Sequence, residues 1–132
     1  MQRVTDAFAK RTGILPETDY RGDLAQLSDS QQIALLALIQ EALSNVRKHG
    51  EATSVQISLV SDPDGIRVTV SDDGRGFDPE TTVAPAARAG RLGLVGMHER
   101  VRMLGGRPQI ESCPGGPTVI SAFLPAVPAG RK

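Results

Sequence analysis

Glu41, Asn45, Lys48 and His49 stand at i, i+4, i+7 and i+8, a spacing that puts all four on one face of an α-helix. Within about two turns, roughly 10 Å, that face offers a carboxylate, an amide oxygen, a cation and an imidazole. Such a set can orient a nucleophile, ligate a hard metal ion and neutralise phosphate. The competing reading is a helix end with basic residues near its C-terminus, where the helix dipole favours them. Two glycine-bearing stretches bear on the choice. Asp72-Asp73-Gly74-Arg75-Gly76 follows a strand pattern. A carboxylate at a strand end can accept a hydrogen bond from an exocyclic amine such as that of adenine, and glycines let backbone and ligand approach closely. An ordinary Asp-Gly turn reads the same way. Gly90-Arg91-Leu92-Gly93-Leu94-Val95-Gly96-Met97 runs from a loop into a helix, whose free N–H groups and positive dipole end suit phosphate. Alternatively, Gly93 and Gly96 let that helix pack closely. Arg91 occupies a position where a GxGxxG ending at Gly96 needs glycine, and no GxxxxGK[ST] occurs. A dinucleotide-binding Rossmann turn or Walker-type loop is therefore disfavoured.

The elements that must position these groups follow from periodicity. Leu35, Leu36, Ile39, Leu43 and Val46 make a core stripe on a helix over Gln32–His49, capped by Ser28, Asp29 or Ser30 and stopped by Gly50. Before it, Val4, Ala7 and Phe8 mark the tail of a linker helix over residues 1–12 that begins upstream, and Thr12-Gly13 ends it. Ile14 to Tyr20, interrupted by Pro16, reads as an edge strand, and Asp23 to Asp29 as a polar approach to the central helix. Val55, Ile57 and Leu59, then Ile66, Val68 and Val70, alternate on two strands joined by Asp62-Pro63-Asp64-Gly65, a strong turn. Residues 79–90 are rich in Thr, Ala and Pro and read as a long loop, a kind that is usually functional or disordered. Leu94, Met97, Val101 and Leu104 stripe a helix over Leu92–Leu104, ended by Gly105-Gly106. Ile110–Cys113 and Val119–Leu124 form a second hairpin, and residues 125–132 a frayed tail. These elements predict one domain over residues 1–132: an α+β two-layer sandwich, its sheet mixed and mostly antiparallel, with helices on one face.

Composition narrows the function classes. The 132 residues hold 15 Lys and Arg against 15 Asp and Glu, and aromatic residues make up 3% with no Trp. Neither a nucleic-acid footprint nor a base-stacking platform is indicated. The single cysteine, Cys113, reads as a partly buried structural thiol. One Cys and two separated His give no zinc pattern. With no apolar run of spanning length and no signal h-region, the chain is expected to be cytoplasmic, and a membrane-tethered parent stays open.

Taken together, Glu41-x-x-x-Asn45-x-x-Lys48-His49, Asp72-x-Gly74-x-Gly76 and Gly93-Leu94-x-x-Met97 resemble the GHKL nucleotide-binding family. QEALSNVRKH with GLVGMHERVRMLGG looks like the ATP-binding catalytic domain of two-component sensor histidine kinases, the nitrate/nitrite-type sensors in particular. The likeness covers roughly Ser28 to Leu124. It implies the GHKL ATPase fold and a domain that binds ATP and Mg²⁺. The resemblance gives Asn45 the role of Mg²⁺ ligand and Glu41 that of orienting a water or attacking group near the γ-phosphate. Lys48 and His49 would face phosphate oxygens. Asp72 would take the adenine amine, supported by Thr118, with Gly74 and Gly76 lining the pocket. Residues 78–92 would be the ATP lid, and Gly93 and Leu94 would meet the phosphates. The sequence departs from the family pattern at Arg91 in the lid segment. It departs again at His98, where Arg is common, and at Pro117, where glycine usually precedes the threonine. Glu99 and Arg100 match the family helix as a supporting ion pair. His49 and His98 lie outside any phosphoacceptor context. The implied partners are therefore ATP, a separate dimerisation and histidine-phosphotransfer domain of the same parent, and a downstream response regulator. The isolated domain is expected to be monomeric and unable to phosphorylate itself. Two other readings stay open: a self-contained GHKL ATPase with Glu41 as general base, and an anti-sigma-type serine kinase relative or nucleotide-binding module.

Overall fold

The computed structural model describes residues 2–22, 24–49, 52–74, 92–112 and 117–126. Helix α1 (Gln2–Thr12) leads to strand β1 (Glu17–Arg21), a 3-10 turn (Leu24–Gln26) and helix α2 (Asp29–His49). Strands β2 (Val55–Asp62) and β3 (Gly65–Asp72), helix α3 (Leu92–Met103) and strands β4 (Arg107–Ser112) and β5 (Thr118–Pro125) follow. The strands form one sheet in the order β1-β2-β3-β5-β4. β1 runs parallel to β2, and the β2–β3, β3–β5 and β5–β4 pairings are antiparallel. This is the expected two-layer α+β sandwich.

Alternation decides which face is covered. Ile57 and Leu59 of β2, Ile66, Val68 and Val70 of β3, and Ile120, Ala122 and Leu124 of β5 are buried in one cluster with Leu35, Ile39 and Leu43 of α2 and Val101 of α3. Each of the larger side chains contributes about 1.5–3 kcal/mol when removed from water. The opposite face is polar. Its register aligns Arg21, Val60, Arg67, Phe123 and Arg107 in one row across all five strands. The Arg67 and Arg107 guanidiniums lie 5.6 and 5.1 Å from the centre of the Phe123 ring, flanking this half-buried aromatic by cation–π contact.

Local chemistry sets the boundaries. Ser28 caps α2: its Oγ accepts the Gln31 N–H at 3.1 Å, and its own N–H donates to Gln31 Oε1 at 2.9 Å, a reciprocal capping box. At the end of α3, Gly105 takes φ +82°. The Gly105 and Gly106 N–H groups donate to Arg102 and Val101 carbonyls, a Schellman arrangement. In the β2–β3 hairpin, Asp62 opposes Gly65, and Asp62 Oδ1 accepts the N–H groups of Asp64 and Gly65, so the side chain shapes the turn. A Cβ at position 65 would collide with the Leu124 carbonyl and the Phe123 ring.

Several expectations need correction. The edge strand begins at Glu17, after Pro16 rather than across it, and pairs in parallel. Residues 23–29 are not simply a polar approach: Leu27 is fully buried. The α2 stripe is wider than expected. Ala34, Leu38 and Ala42 join the core while Leu36 is only half-buried, because α2 packs on the sheet and against both other helices. β4 begins at Arg107. β5 takes in Pro125, and the Ala126 N–H donates to the Asp64 carbonyl at 2.9 Å. Gly50, the expected lid over 78–92 and Cys113 lie mostly or wholly outside the described residues; of the lid only Leu92, the first residue of α3, falls among them.

Candidate functional site

The topology brings three chain segments to one end of the sheet. Gln31, in the first turn of α2, donates from Nε2 to the carbonyls of Leu104 and Pro125 at 3.4 and 3.1 Å. This fixes the start of α2 and the end of α3 at the Pro125 end of the sheet. At about 1.5 Å per residue, the 21-residue α2 then carries its C-terminal turns, with Asn45, toward the other end. α3 runs back, so its first turn, with Gly93 and Leu94, points the same way. That other end is where β3 finishes at Asp72 and β5 starts at Thr118, and these two residues are direct partners in the ladder.

Asn45 is buried, and its Nδ2 donates to the Glu41 carbonyl at 2.9 Å and lies 3.5 Å from Glu41 Oε1. A carbonyl accepts only, so this bond fixes the amide orientation. Asn45 Oδ1 is thereby turned away, buried and without a hydrogen-bond partner. A buried amide oxygen left unmet costs about 1–3 kcal/mol, so the arrangement fits a ligand that is not protein. Gln26 Oε1 is also unpartnered, so the orphan oxygen is not sufficient by itself. What distinguishes Asn45 is the Glu41 carboxylate beside it at the C-terminal half of α2, where the helix dipole favours a cation. Among the described residues no group of three or more His, Cys, Asp or Glu could form a metal cage. A small hard cation held by one amide oxygen, with waters and a ligand's phosphates completing its shell, is the chemistry this donor set suits.

Asp72 is half-buried, and its Oδ1 accepts the Gly74 N–H at 2.8 Å. Burial raises its pKa above the ordinary aspartate value; the Gly74 bond pulls it down, and the charge of Asp73 pushes it up again. Thr118, opposite it, is buried. Asp72 and Thr118 are thus direct partners in the backbone register, side by side across β3 and β5. Asp73, to which the motif assigned nothing, accepts hydrogen bonds from the N–H and Oγ1 of Thr53 and from the Ser54 N–H. These bonds hold its carboxyl well below the usual aspartate range. The signal that could have found it is an acceptor-only side chain 20 residues from a Thr-Ser pair at a helix–strand junction, which no local pattern displays.

Lys48 and His49 lie in the last turn of α2 and Gly93 and Leu94 in the first turn of α3, but their side chains, like Gly76 entirely, are outside the described residues. The helix-packing alternative fails for Gly96: a Cβ there would meet nothing within 4 Å. An open apolar groove of about 520 Å³, lined among others by Ile33, Gly96, Met103 and Leu104, lies toward the Pro125 end, away from Asn45 and Asp72.

A family model described as histidine kinase-, DNA gyrase B- and HSP90-like ATPase matches residues 30–128. The chain belongs to this family. It is a GHKL-type ATP-binding catalytic domain of the kind typical of sensor histidine kinases. It is 34% identical over 125 residues to the signal transduction histidine-protein kinase/phosphatase DegS of Brevibacillus brevis, covering 95% of this chain and 31% of that protein. It is 36% identical over 113 residues to UhpB, another signal transduction histidine-protein kinase/phosphatase, of Salmonella typhimurium, covering 86% of this chain and 21% of that one. The chain therefore spans about a fifth to a third of these relatives. The solved Acinetobacter baumannii histidine kinase AdeS superposes with a TM-score of 0.72 at 18% identity, covering 96% of this chain and 63% of that one. That likeness concerns the fold alone. Among the described residues no helix is long and apolar enough to cross a membrane.

Proposed function

We propose that this GHKL domain binds ATP with Mg²⁺ and presents the γ-phosphate to a histidine on a separate dimerisation domain of its parent, the phosphate then passing to a response regulator. The observation that carries the reading is the orphaned Asn45 Oδ1 beside Glu41, at the same end of the sheet as the half-buried Asp72 and its partner Thr118. Asn45 would hold Mg²⁺, which when bound neutralises phosphate charge and orients the triphosphate. Asp72 accepts from the adenine amine, and its contact with Gly74 keeps one oxygen in place for that. Glu41 orients the attacking group, and Lys48 and His49 act as positive or donating groups toward phosphate oxygens. The N–H groups of the first turn of α3, at Gly93 and Leu94, have no intrahelical partner and suit phosphate. Gly76 lines the adenine side.

The finer likeness to nitrate/nitrite-type sensors rests on QEALSNVRKH and GLVGMHERVRMLGG and remains part of this proposal. So do a cytoplasmic placement and a monomeric isolated domain. Calorimetric titration of the chain with Mg–ATP tests the binding, with a measurable heat expected and none contradicting it. Steady-state phosphate release separates the readings: slow turnover, with phosphate moving only when the parent's histidine domain is added, is expected here. Robust turnover by the chain alone would favour a self-contained ATPase, and transfer to a partner serine the serine-kinase reading.

A further inference from the structure

We infer that Asp73 is a positioning residue that fixes the spacing between the adenine half and the metal–phosphate half of the site, an inference that rests on the reading of the site just given. Asp73 Oδ1 accepts the N–H groups of Thr53 and Ser54 at 2.8 and 2.9 Å, and Oδ2 accepts the Thr53 hydroxyl at 2.7 Å. The Asp73 N–H returns a bond to the Ser54 carbonyl at 3.3 Å. Four hydrogen bonds thus tie two backbone segments that arrive from different halves of the site. Thr53 and Ser54 lie on the connection that leaves α2, the helix bearing Glu41 and Asn45, and enters β2. Asp73 is the residue after Asp72.

A carboxylate matches the task, because it accepts only and has two oxygens for three donors. Its presence carries an electrostatic cost: its charge works against the ionisation of Asp72 next to it. A solvent-exposed carboxylate is not needed to fill the core, so its bonds to the α2–β2 connection are what the position supplies. A ligand that spans both halves needs them at a fixed separation, and a misplacement of about 1 Å can weaken an interaction by up to ~100-fold. A ligand that occupies the adenine half alone has no such need.

The test compares Mg–ATP with adenosine, titrated into the wild-type chain and into variants kept well below their thermal midpoints. Asp73→Ala should weaken Mg–ATP by about tenfold or more and adenosine by less than about threefold. Asp73→Asn should behave as wild type toward both. Its Oδ1 can still accept the two backbone bonds while its amide donates to Thr53 Oγ1. Wild-type Mg–ATP affinity in Asp73→Ala, or equal losses for Mg–ATP and adenosine, overturns the inference. Thr53→Val removes one bond of the four and serves if Asp73→Ala does not fold. It should show the same asymmetry at smaller size, and equal effects on both ligands overturn the inference again. Failure of the wild-type chain to bind Mg–ATP would instead remove the site reading, and this inference with it.

Discussion

The two ends of the sheet treat their buried polar groups differently. At the Pro125 end, Gln31 is buried and spends its whole amide: Oε1 accepts from Ser28, and Nε2 donates to the carbonyls of Leu104 and Pro125. Beside it, Gly105 and Gly106 close the last carbonyls of α3. At the Asp72 end, Asn45 is buried with half its amide unused, and a half-buried carboxylate is pushed toward its neutral form. Of the two buried amides, Gln31 is closed off at one end and Asn45 is left open at the other. The half-buried Gln26, whose Nε2 donates to the Asp62 carbonyl at the Pro125 end, also keeps an unpartnered Oε1 but has no carboxylate beside it comparable to Glu41 among the described residues. Satisfied amides hold elements together; an unsatisfied one beside a carboxylate, kept at a cost of about 1–3 kcal/mol, is the feature on which the proposed metal reading of Asn45 rests.

Substitution at the closed end gives the largest expected effect on stability. Gln31→Ala leaves two carbonyls and a capping N–H unmet and should cost about 3 kcal/mol. By thermal unfolding its midpoint should fall by about 10 °C, while Mg–ATP affinity, measured where the variant is folded, stays within about twofold. A variant that keeps its stability but loses nucleotide would break the division between the ends. The open end predicts the opposite. Asn45→Leu removes the orphan oxygen, so the apo midpoint should change by no more than about 1 kcal/mol of stability, in either direction. Stimulation of ATP binding by Mg²⁺ should disappear. A strongly destabilised variant with intact Mg²⁺ stimulation would make Asn45 a structural residue like Gln31.

The smallest effect is in pH. Asp72 has a raised pKa, so the folded chain binds its proton more tightly than the unfolded chain does. Its ionisation therefore disfavours the fold as pH rises from the ordinary aspartate value through its raised one. Asp73, with a depressed pKa, does the reverse: its contribution is present above the ordinary value and is lost as pH falls toward the folded one. The two act in opposite directions on stability. In the proposed reading adenine recognition uses the ionised Asp72, so Mg–ATP affinity should begin to fall, on acidification, at a higher pH than an ordinary aspartate would give. Titrations across the acidic range check this; a flat profile would remove Asp72 from recognition.

The parts of this picture that come from contiguous residues were legible in the sequence. The turn at Asp62–Gly65 and the shared face of Glu41 and Asn45 depend on spacings of three or four residues; the cap of α2 was narrowed to Ser28, Asp29 or Ser30, and its reciprocal bonds with Gln31 single out Ser28. Parts set by tertiary pairing were not. Leu27 follows Leu24 by three residues in a stretch too short to establish a period, yet it is fully buried under the fold. The parallel direction of β1 depends on where the chain returns. The opposition of Asp72 and Thr118 spans β3 and β5, far apart in the chain; the family resemblance linked the two residues only through a shared adenine contact. Asp73 and Thr53 meet because two strand ends meet, which composition and periodicity do not encode. Of four expected site residues, Lys48, His49, Gly93 and Leu94, only the backbone is among what the structure describes, and Gly76 lies wholly outside the described residues.

The most direct measurement is calorimetric titration of Mg–ATP into the wild-type chain and Asp72→Asn, with thermal midpoints recorded for both. Asparagine keeps one acceptor oxygen, which the Gly74 N–H takes, and so turns its amide N–H₂ toward the adenine amine; the lost acceptor there should weaken binding by about 100-fold. The apo midpoint should be equal or higher, because the disfavoured buried charge is gone. Equal affinity in the two proteins would contradict the account, since the purine would then be held somewhere other than beside Asp72.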